Sequence, residues 1–229
     1  MSSGDNFNYN NNGEISDFSG TDIVNVVVVG DSGIGKTNMI LSYAQDSFSS
    51  EYKPTVFDHY SSEVEYNGHP CSLEIWDLSG KDEHQSLRKF AYSKAQAIVI
   101  CYSMMDSKSF KSVQSKWLRE IRSDEKLKSI PLILVATKCD QFEDHDTLES
   151  FKKSGRVDSS QGSNLAKFEG FIQYIETSAL FGECVKNVFD EALYATLKNN
   201  QKYGGSQSGN RIRKAKHDDN DKNKKCIVF

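Results

Sequence analysis

Gly30-Asp31-Ser32-Gly33-Ile34-Gly35-Lys36-Thr37 (GDSGIGKT, residues 30–37) is the stretch on which the reading of this chain turns. It fits the spacing G-x-x-x-x-G-K-[ST], and its surroundings suit that spacing. The β-branched run Ile23–Val29 before it is what a strand buried on both faces looks like. Lys36–Gln45 after it has the apolar spacing of a helix. Glycines between a strand and a helix let backbone N–H groups curl around phosphates, and the helix N-terminus adds partial positive charge. Lys36 would then reach the β- and γ-phosphates, Thr37 would offer its hydroxyl to Mg²⁺, and Asn38 would continue the same cradle.

Outward from this loop, apolar runs alternate with helical patterns. Tyr60–Tyr66 and Cys71–Trp76 read as two strands joined at Asn67-Gly68, a two-residue hairpin signal. Ala97–Ser103 and Leu132–Ala136 read as buried strands, and Ile172–Glu176 as another. Ser107–Arg122 reads as a helix with Phe110, Val113, Trp117, Leu118 and Ile121 inward. Val185–Leu197 reads as a final amphipathic helix through Val188, Phe189, Leu193 and Leu197. Strands alternating with helices predict an α/β fold, a P-loop NTPase whose mainly parallel sheet is covered on both faces, with the hairpin adding one antiparallel edge strand.

Two further stretches point at a nucleotide. Trp76-Asp77-Leu78-Ser79-Gly80-Lys81 follows a strand and carries D-x-x-G, which suits a sensor of the last phosphate. Thr137-Lys138-Cys139-Asp140 ends a buried strand. An Asp there can accept two hydrogen bonds from the N1–H and exocyclic amine of guanine, a pairing adenine lacks, while the Lys138 stem lies along the base. Ser178-Ala179-Leu180 follows the last strand, where a backbone N–H can read the guanine oxygen.

Composition sets bounds. The 229 residues fit one domain of ordinary size, about a quarter of them charged and over a third apolar. A net charge of −4 argues against bulk nucleic-acid binding. No apolar run reaches ~18 residues and no basic-then-apolar leader is present, so neither a membrane span nor secretion is expected. Cys71, Cys101, Cys139, Cys184 and Cys226 are scattered, with no C-x-x-C and no zinc spacing. They read as reduced thiols, the first four in or near the core. Residues 1–20 are rich in Asn, Ser and Gly and read as a disordered tail. Residues 21–200 read as the folded domain, and 201–229 as a flexible basic tail.

Taken together, residues 23–200 resemble a small Ras-like GTPase, and within that group the Rho/Rac family. Glu51-Tyr52-Lys53-Pro54-Thr55-Val56-Phe57-Asp58-His59-Tyr60 is similar to the Rho-type first switch and effector loop, with His59 in place of the common Asn. Leu87-Arg88 followed by Tyr92 is similar to the second switch. Asp144–Ser160, with Asp146-Thr147-Leu148-Glu149, resembles the extra helix of Rho proteins, in an insert at about 141–160. The resemblance implies a six-stranded mixed sheet, GTP/GDP and Mg²⁺ as cofactors, and signalling through effectors, typically to the actin cytoskeleton. It also implies exchange factors and dissociation inhibitors as partners; a monomer is expected. Carried onto this chain, Thr55 would coordinate Mg²⁺ and sense the γ-phosphate, and Phe48 would pack on the base. Asp77 would hold Mg²⁺ through water, and the Gly80 N–H would bond the γ-phosphate.

The other end of the chain agrees with that resemblance. Cys226-Ile227-Val228-Phe229 fits C-a-a-X, with Phe favouring geranylgeranyl. Residues 211–225 carry seven Lys or Arg against three Asp, a net charge of about +4. One prenyl chain needs a second signal, and at roughly 1 kcal/mol per basic residue near an anionic leaflet this patch supplies it. The expected location is the cytoplasmic face of a cell membrane, lipid-anchored, with a cytosolic fraction.

The departures from the family pattern cluster at the γ-phosphate. The usual D-T-A-G-Q reads Asp77-Leu78-Ser79-Gly80-Lys81, and the usual G-D-G-x-x-G-K-T has Ser32 at its third position. The family Gln orients the attacking water; lysine has donors but no acceptor. The Ser32 Cβ would intrude where the water-orienting side chain and an arginine finger meet. Departures at the same positions mark the Rnd subgroup of Rho proteins, which stays GTP-loaded, although its substitutions differ. The expectation is GTP binding with weak hydrolysis; an ordinary cycling GTPase and a GTP-locked module regulated by abundance, localisation or tail modification are the alternatives. A P-loop small-molecule kinase would need an Arg-rich lid, and none is visible. Three fates of Lys81 stay open: stabilising bound GTP, swinging into solvent, or neutralisation by Asp82 and Glu83.

Overall fold

A computed structural model describes residues 22–51, 53–66, 69–141 and 155–203. Tyr52, the Asn67-Gly68 turn, residues 142–154 of the expected insert, the N-terminal tail and the C-terminal tail beyond residue 203, with Cys226, lie outside the described residues. The sheet has six strands in the order β2-β3-β1-β4-β5-β6. These are β1 (Asp22–Gly30), β2 (Phe57–Tyr66), β3 (His69–Leu78), β4 (Ala97–Ser103), β5 (Leu132–Thr137) and β6 (Gln173–Thr177). All neighbours are parallel except β2 and β3, which pair antiparallel with Tyr66 opposite His69, as a two-residue connection requires. The fold is the α/β one expected of the sequence.

Alternation along each strand splits the core in two. Val27 and Val29 of β1 face one cluster with Ile98, Ile100 and Leu134. That side is covered by α2 (Gln85–Tyr92), α3 (107–122) and α4 (Ser159–Glu169). Helix α3 runs through Ser107–Ser112, Val113–Leu118 and Arg119–Arg122, and its middle span is π-helical. Val24, Val26 and Val28 face the opposite cluster, covered by α1 (Lys36–Gln45) and α5 (Val185–Tyr203). Every residue of β4 is buried, as the unbroken apolar run predicts. Cys71 and Cys101 are buried and Cys139 is half-buried, none of them in a disulfide, whereas Cys184, expected as a reduced thiol, is disulfide-bonded.

Several boundaries differ from the sequence reading, each for a physical reason. Strand β2 begins at Phe57 rather than Tyr60, because backbone pairing from Phe57–Leu78 onward recruits Asp58 and His59 at an exposed edge. Strand β6 starts at Gln173; Ile172 precedes the pairing and is 47% exposed. Helix α5 continues to Tyr203 through polar residues that carry no apolar signal. The insert boundary at residue 160 reaches too far. Val157 is buried in the core, and Asp158 opens α4 with a capping box to Gln161. Helix α4 itself, SSQGSNLAKFE, escaped a reading based on periodicity because Ser and Gly dilute its apolar face.

Candidate functional site

The loop between β1 and α1 wraps a cavity of about 580 Å³ at the C-terminal edge of the sheet. Such an edge is where ligands bind in α/β folds. Ser32, Gly33, Gly35, Lys36, Thr37 and Asn38 line the cavity. Gly30, Asp31 and Ile34 do not line it and form the loop's support instead. At Gly30 the backbone is left-handed (φ 145°), and a Cβ would run into the Cys101 carbonyl of β4. Lys36 is only 6% exposed, and its ammonium donates to the carbonyls of Gly30 (2.9 Å) and Asp31 (2.8 Å). Burial lowers its pKa; Asp77, Cys101 and Asp31 pull the other way.

A cluster of hard oxygen donors sits beside it. The Thr37 hydroxyl donates to Asp77 Oδ2 (2.5 Å) and lies 2.8 Å from the Thr55 hydroxyl. Asp77 is fully buried, and burial raises its pKa against the hydrogen bond from Thr37 and the charge of Lys36. Its Oδ1 is buried without a partner. An orphaned carboxylate oxygen next to two hydroxyls is a donor set that fits Mg²⁺, a hard cation that keeps several waters. Thr37, Thr55 and Asp77 are the residues that would hold it, and the ion would supply charge neutralisation for the phosphates.

The far end of the cavity is built by β5 and β6. Thr137 Oγ1 donates to the Ile34 carbonyl (2.5 Å) and to the Tyr102 carbonyl (3.1 Å). Lys138 is left-handed (φ 60°), and its ammonium reaches the Gly33 carbonyl (3.0 Å), so its stem lies along the cavity wall. Asp140 sits in a short 3-10 turn, Cys139–Gln141, and lines the cavity with Ala179, Leu180 and the exposed Phe48 ring. Ser178 is buried behind them, accepting from the Phe181 N–H (3.2 Å). The loop, the hard-donor cluster and the Thr137–Asp140 turn thus converge on one cavity. The Ras family model matches residues 25–198. This chain belongs to the Ras family. It is a small Ras-like GTPase, and proteins of this family bind GTP and GDP with Mg²⁺ and work with effectors and exchange factors.

Within this Ras-family frame the first-switch residues divide into two groups. Lys53, Pro54, Thr55 and Asp58 line the cavity. Val56 is half-exposed, and Phe57, His59 and Tyr60 lie on the opening residues of β2. His59 Nε2 is 2.7 Å from Glu74 Oε2 on β3, and its ring is 4.6 Å from that of Trp76.

The Asp77–Lys81 turn is held from behind. A Cβ on Gly80 would fall 2.5 Å from the Ser32 nitrogen and 2.6 Å from the Gly30 carbonyl, so the turn packs backbone to backbone against the phosphate loop. Arg88, 1% exposed, donates Nη1 to the carbonyls of Ser79 (3.1 Å) and Lys81 (2.6 Å) and grips Glu120 bidentately (2.7 and 2.8 Å). Burial would raise the Glu120 pKa, but hydrogen bonds from Arg88 and Tyr92 prevail and hold it below the usual carboxylate range. Trp117 on α3 donates to Asp31 Oδ1 (2.9 Å). Of the three fates open for Lys81, the structure shows pairing with an acidic neighbour, Glu83, on a residue that still lines the cavity. The side chain is half-exposed and its ammonium is 3.4 Å from Glu83 Oε1, whereas Asp82 pairs with Lys116 instead.

Sequence reasoning named Arg88 only through its resemblance to the second switch, took Trp117 as core, and missed Lys116 and Glu120. Their partners lie tens of residues away, and no local spacing signals such pairs.

Proposed function

We propose that this protein is a Rho-type GTP-binding switch that holds GTP and hydrolyses it slowly. The observation that carries the reading is Lys81. It ends the D-x-x-G turn where the family Gln orients the attacking water, it has no acceptor for a water hydrogen, and its ammonium turns toward Glu83. Ser32 adds a side chain on the facing loop, where the Cβ of any residue crowds the approach of an arginine finger. The groups that would hold nucleotide and metal, Lys36, Thr37, Thr55 and Asp77, stay clustered. Binding is therefore retained while turnover is impaired.

Single-turnover hydrolysis of bound GTP, with and without a Rho-type activating protein, tests this. Slow, unstimulated loss of the γ-phosphate is expected, and strong stimulation would sink the reading. Nucleotide content after isolation from cells is a second measure: mainly GTP is expected, and mainly GDP would favour an ordinary cycling GTPase.

The partners that follow are Rho-type effectors at Tyr52–Tyr60, exchange factors and dissociation inhibitors, with output to the actin cytoskeleton. Cys226, prenylated and backed by the basic residues of 211–225, would anchor the protein to the cytoplasmic face of a membrane. Replacing Cys226 with Ser should move the protein to the cytosolic fraction; unchanged membrane recovery would argue against the anchor.

A further inference from the structure

We propose that Lys116, on the π-helical span of α3, is a positioning residue that sets the preference for GTP over GDP. The inference rests on reading Gly80 as the γ-phosphate sensor. Lys116 donates to the Gly80 carbonyl (2.7 Å), pairs with Asp82 Oδ1 (2.6 Å) and packs its ammonium over the Trp117 ring at 4.6 Å. The adjacent Trp117 holds Asp31 of the phosphate loop. One turn of α3 therefore touches both walls of the phosphate end. π-turns are rare and gather at functional sites, and this one presents two consecutive side chains to the turn and the loop.

The geometry explains why a lysine so placed matters. A glycine is freer in φ and ψ than any other residue. Gly80 is the one whose N–H must be aimed. Its two flanking peptides are planar and trans, so holding a carbonyl on one side sends the N–H of the same plane to the other. Arg88 holds the Ser79 carbonyl, which fixes the plane carrying the Gly80 N–H. Lys116 holds the Gly80 carbonyl, which fixes the next plane. With both planes pinned, the glycine keeps one conformation before any ligand arrives. Without Lys116, the second plane keeps only the Lys81 N–H bond to Ser79 Oγ (3.3 Å), so Gly80 turns more freely about ψ and the turn holds its N–H less tightly in place. GDP has no γ-phosphate for that N–H, so its affinity is independent of the aim.

The test uses the full chain. Affinities for GDP and for a non-hydrolysable GTP analogue are measured for wild type, Lys116→Met and Lys116→Arg. Methionine keeps an unbranched stem over Trp117 and removes the charge. Lys116→Met should weaken the GTP analogue about tenfold, the loss of one charge-assisted hydrogen bond, and change GDP less than about twofold. Lys116→Arg should recover most of the difference. An equal loss for both nucleotides, or no loss for either, overturns the proposal. A wild-type protein that binds neither nucleotide overturns the reading of the site itself. Asp82→Asn gives an independent arm at an exposed residue. Freed from its carboxylate, Lys116 is left wholly to Gly80, and the ratio of GTP-analogue to GDP affinity should rise about twofold or more. An unchanged or falling ratio counts against the proposal.

Discussion

At the base end of the cavity, Thr137, Lys138 and Asp140 extend directly from β5, whereas at the phosphate end Gly80 and Lys81 hang on a turn held by side chains of α2 and α3. The first arrangement takes its rigidity from a buried strand and from the buried hydroxyls of Tyr102 and Tyr174 beneath it. The second depends on a handful of long-range hydrogen bonds, and it is there that Ser32 and Lys81, to which slow hydrolysis is proposed to be due, sit. Affinity and turnover are thus separable: a residue on the turn can change the chemistry while the strand ends continue to hold the base.

The largest effect that would sharpen this contrast comes from restoring the phosphate end. Lys81→Gln with Ser32→Gly should return stimulated hydrolysis by about 10³–10⁵-fold, the usual contribution of a completed arginine-finger site. No gain in the double variant, assayed by phosphate release with an activating protein, would count against the proposal that these two residues slow turnover.

Asp140→Asn attacks the other end. If Asp140 accepts the two hydrogen bonds expected from guanine, each worth about 1.5–3 kcal/mol, nucleotide affinity should fall by about 10²–10⁴-fold for GDP and GTP alike. Equilibrium binding of both nucleotides checks it. A loss confined to GTP would break the division of labour between the ends.

Glu120→Ala tests the turn's support. Arg88 is 1% exposed and the Glu120 side chain 9%, so removing the carboxylate strands a buried cation, at a cost of about 3–5 kcal/mol in unfolding free energy. The pH dependence has a definite sign. Because the folded carboxyl is held below its ordinary value of 4.5, its stabilising contribution is complete above that value and is lost as the pH falls through the lowered one. Denaturant melts of wild type should weaken below about pH 4.5, and those of Glu120→Gln should lack that part of the decline.

The contrast also explains what the sequence disclosed. The phosphate loop, the strands of the core and the Thr137–Asp140 turn are local patterns, legible from spacing and from what flanks them. The grip of Arg88 on Glu120, 32 residues apart, and of Trp117 on Asp31, 86 apart, has no periodic signature. The π-helical span was equally silent, since Val113 and Trp117 fit an ordinary helix. Lys81 was recognisable as the odd residue, but it pairs with Glu83 while Lys116 of α3 takes Asp82, a choice that spacing does not encode.

The smallest effect bears on how the base end is tied to the body. Beneath it, the buried hydroxyls of Tyr102 and Tyr174 are 3.0 Å apart, and Tyr174 donates to Glu176 (2.8 Å), two residues before Ser178. Gly162 of α4 packs directly on both hydroxyls; a Cβ there would collide with the Tyr102 and Tyr174 oxygens. Gly162→Ala must therefore push α4 outward or break the chain of hydroxyls, and overpacking of this kind costs about 1–3 kcal/mol. A domain of this size should lose roughly 2–12 °C in Tm. If the base end takes its rigidity from the strands alone, GDP affinity will survive the shift. If it leans on the hydroxyl chain, affinity will fall a few-fold with stability, and hydrolysis by the restored Gln and Gly pair will stay unchanged once nucleotide is saturating. The second outcome is expected, because Glu176 is buried and its carboxylate is gripped by Tyr174 on the side that α4 would vacate.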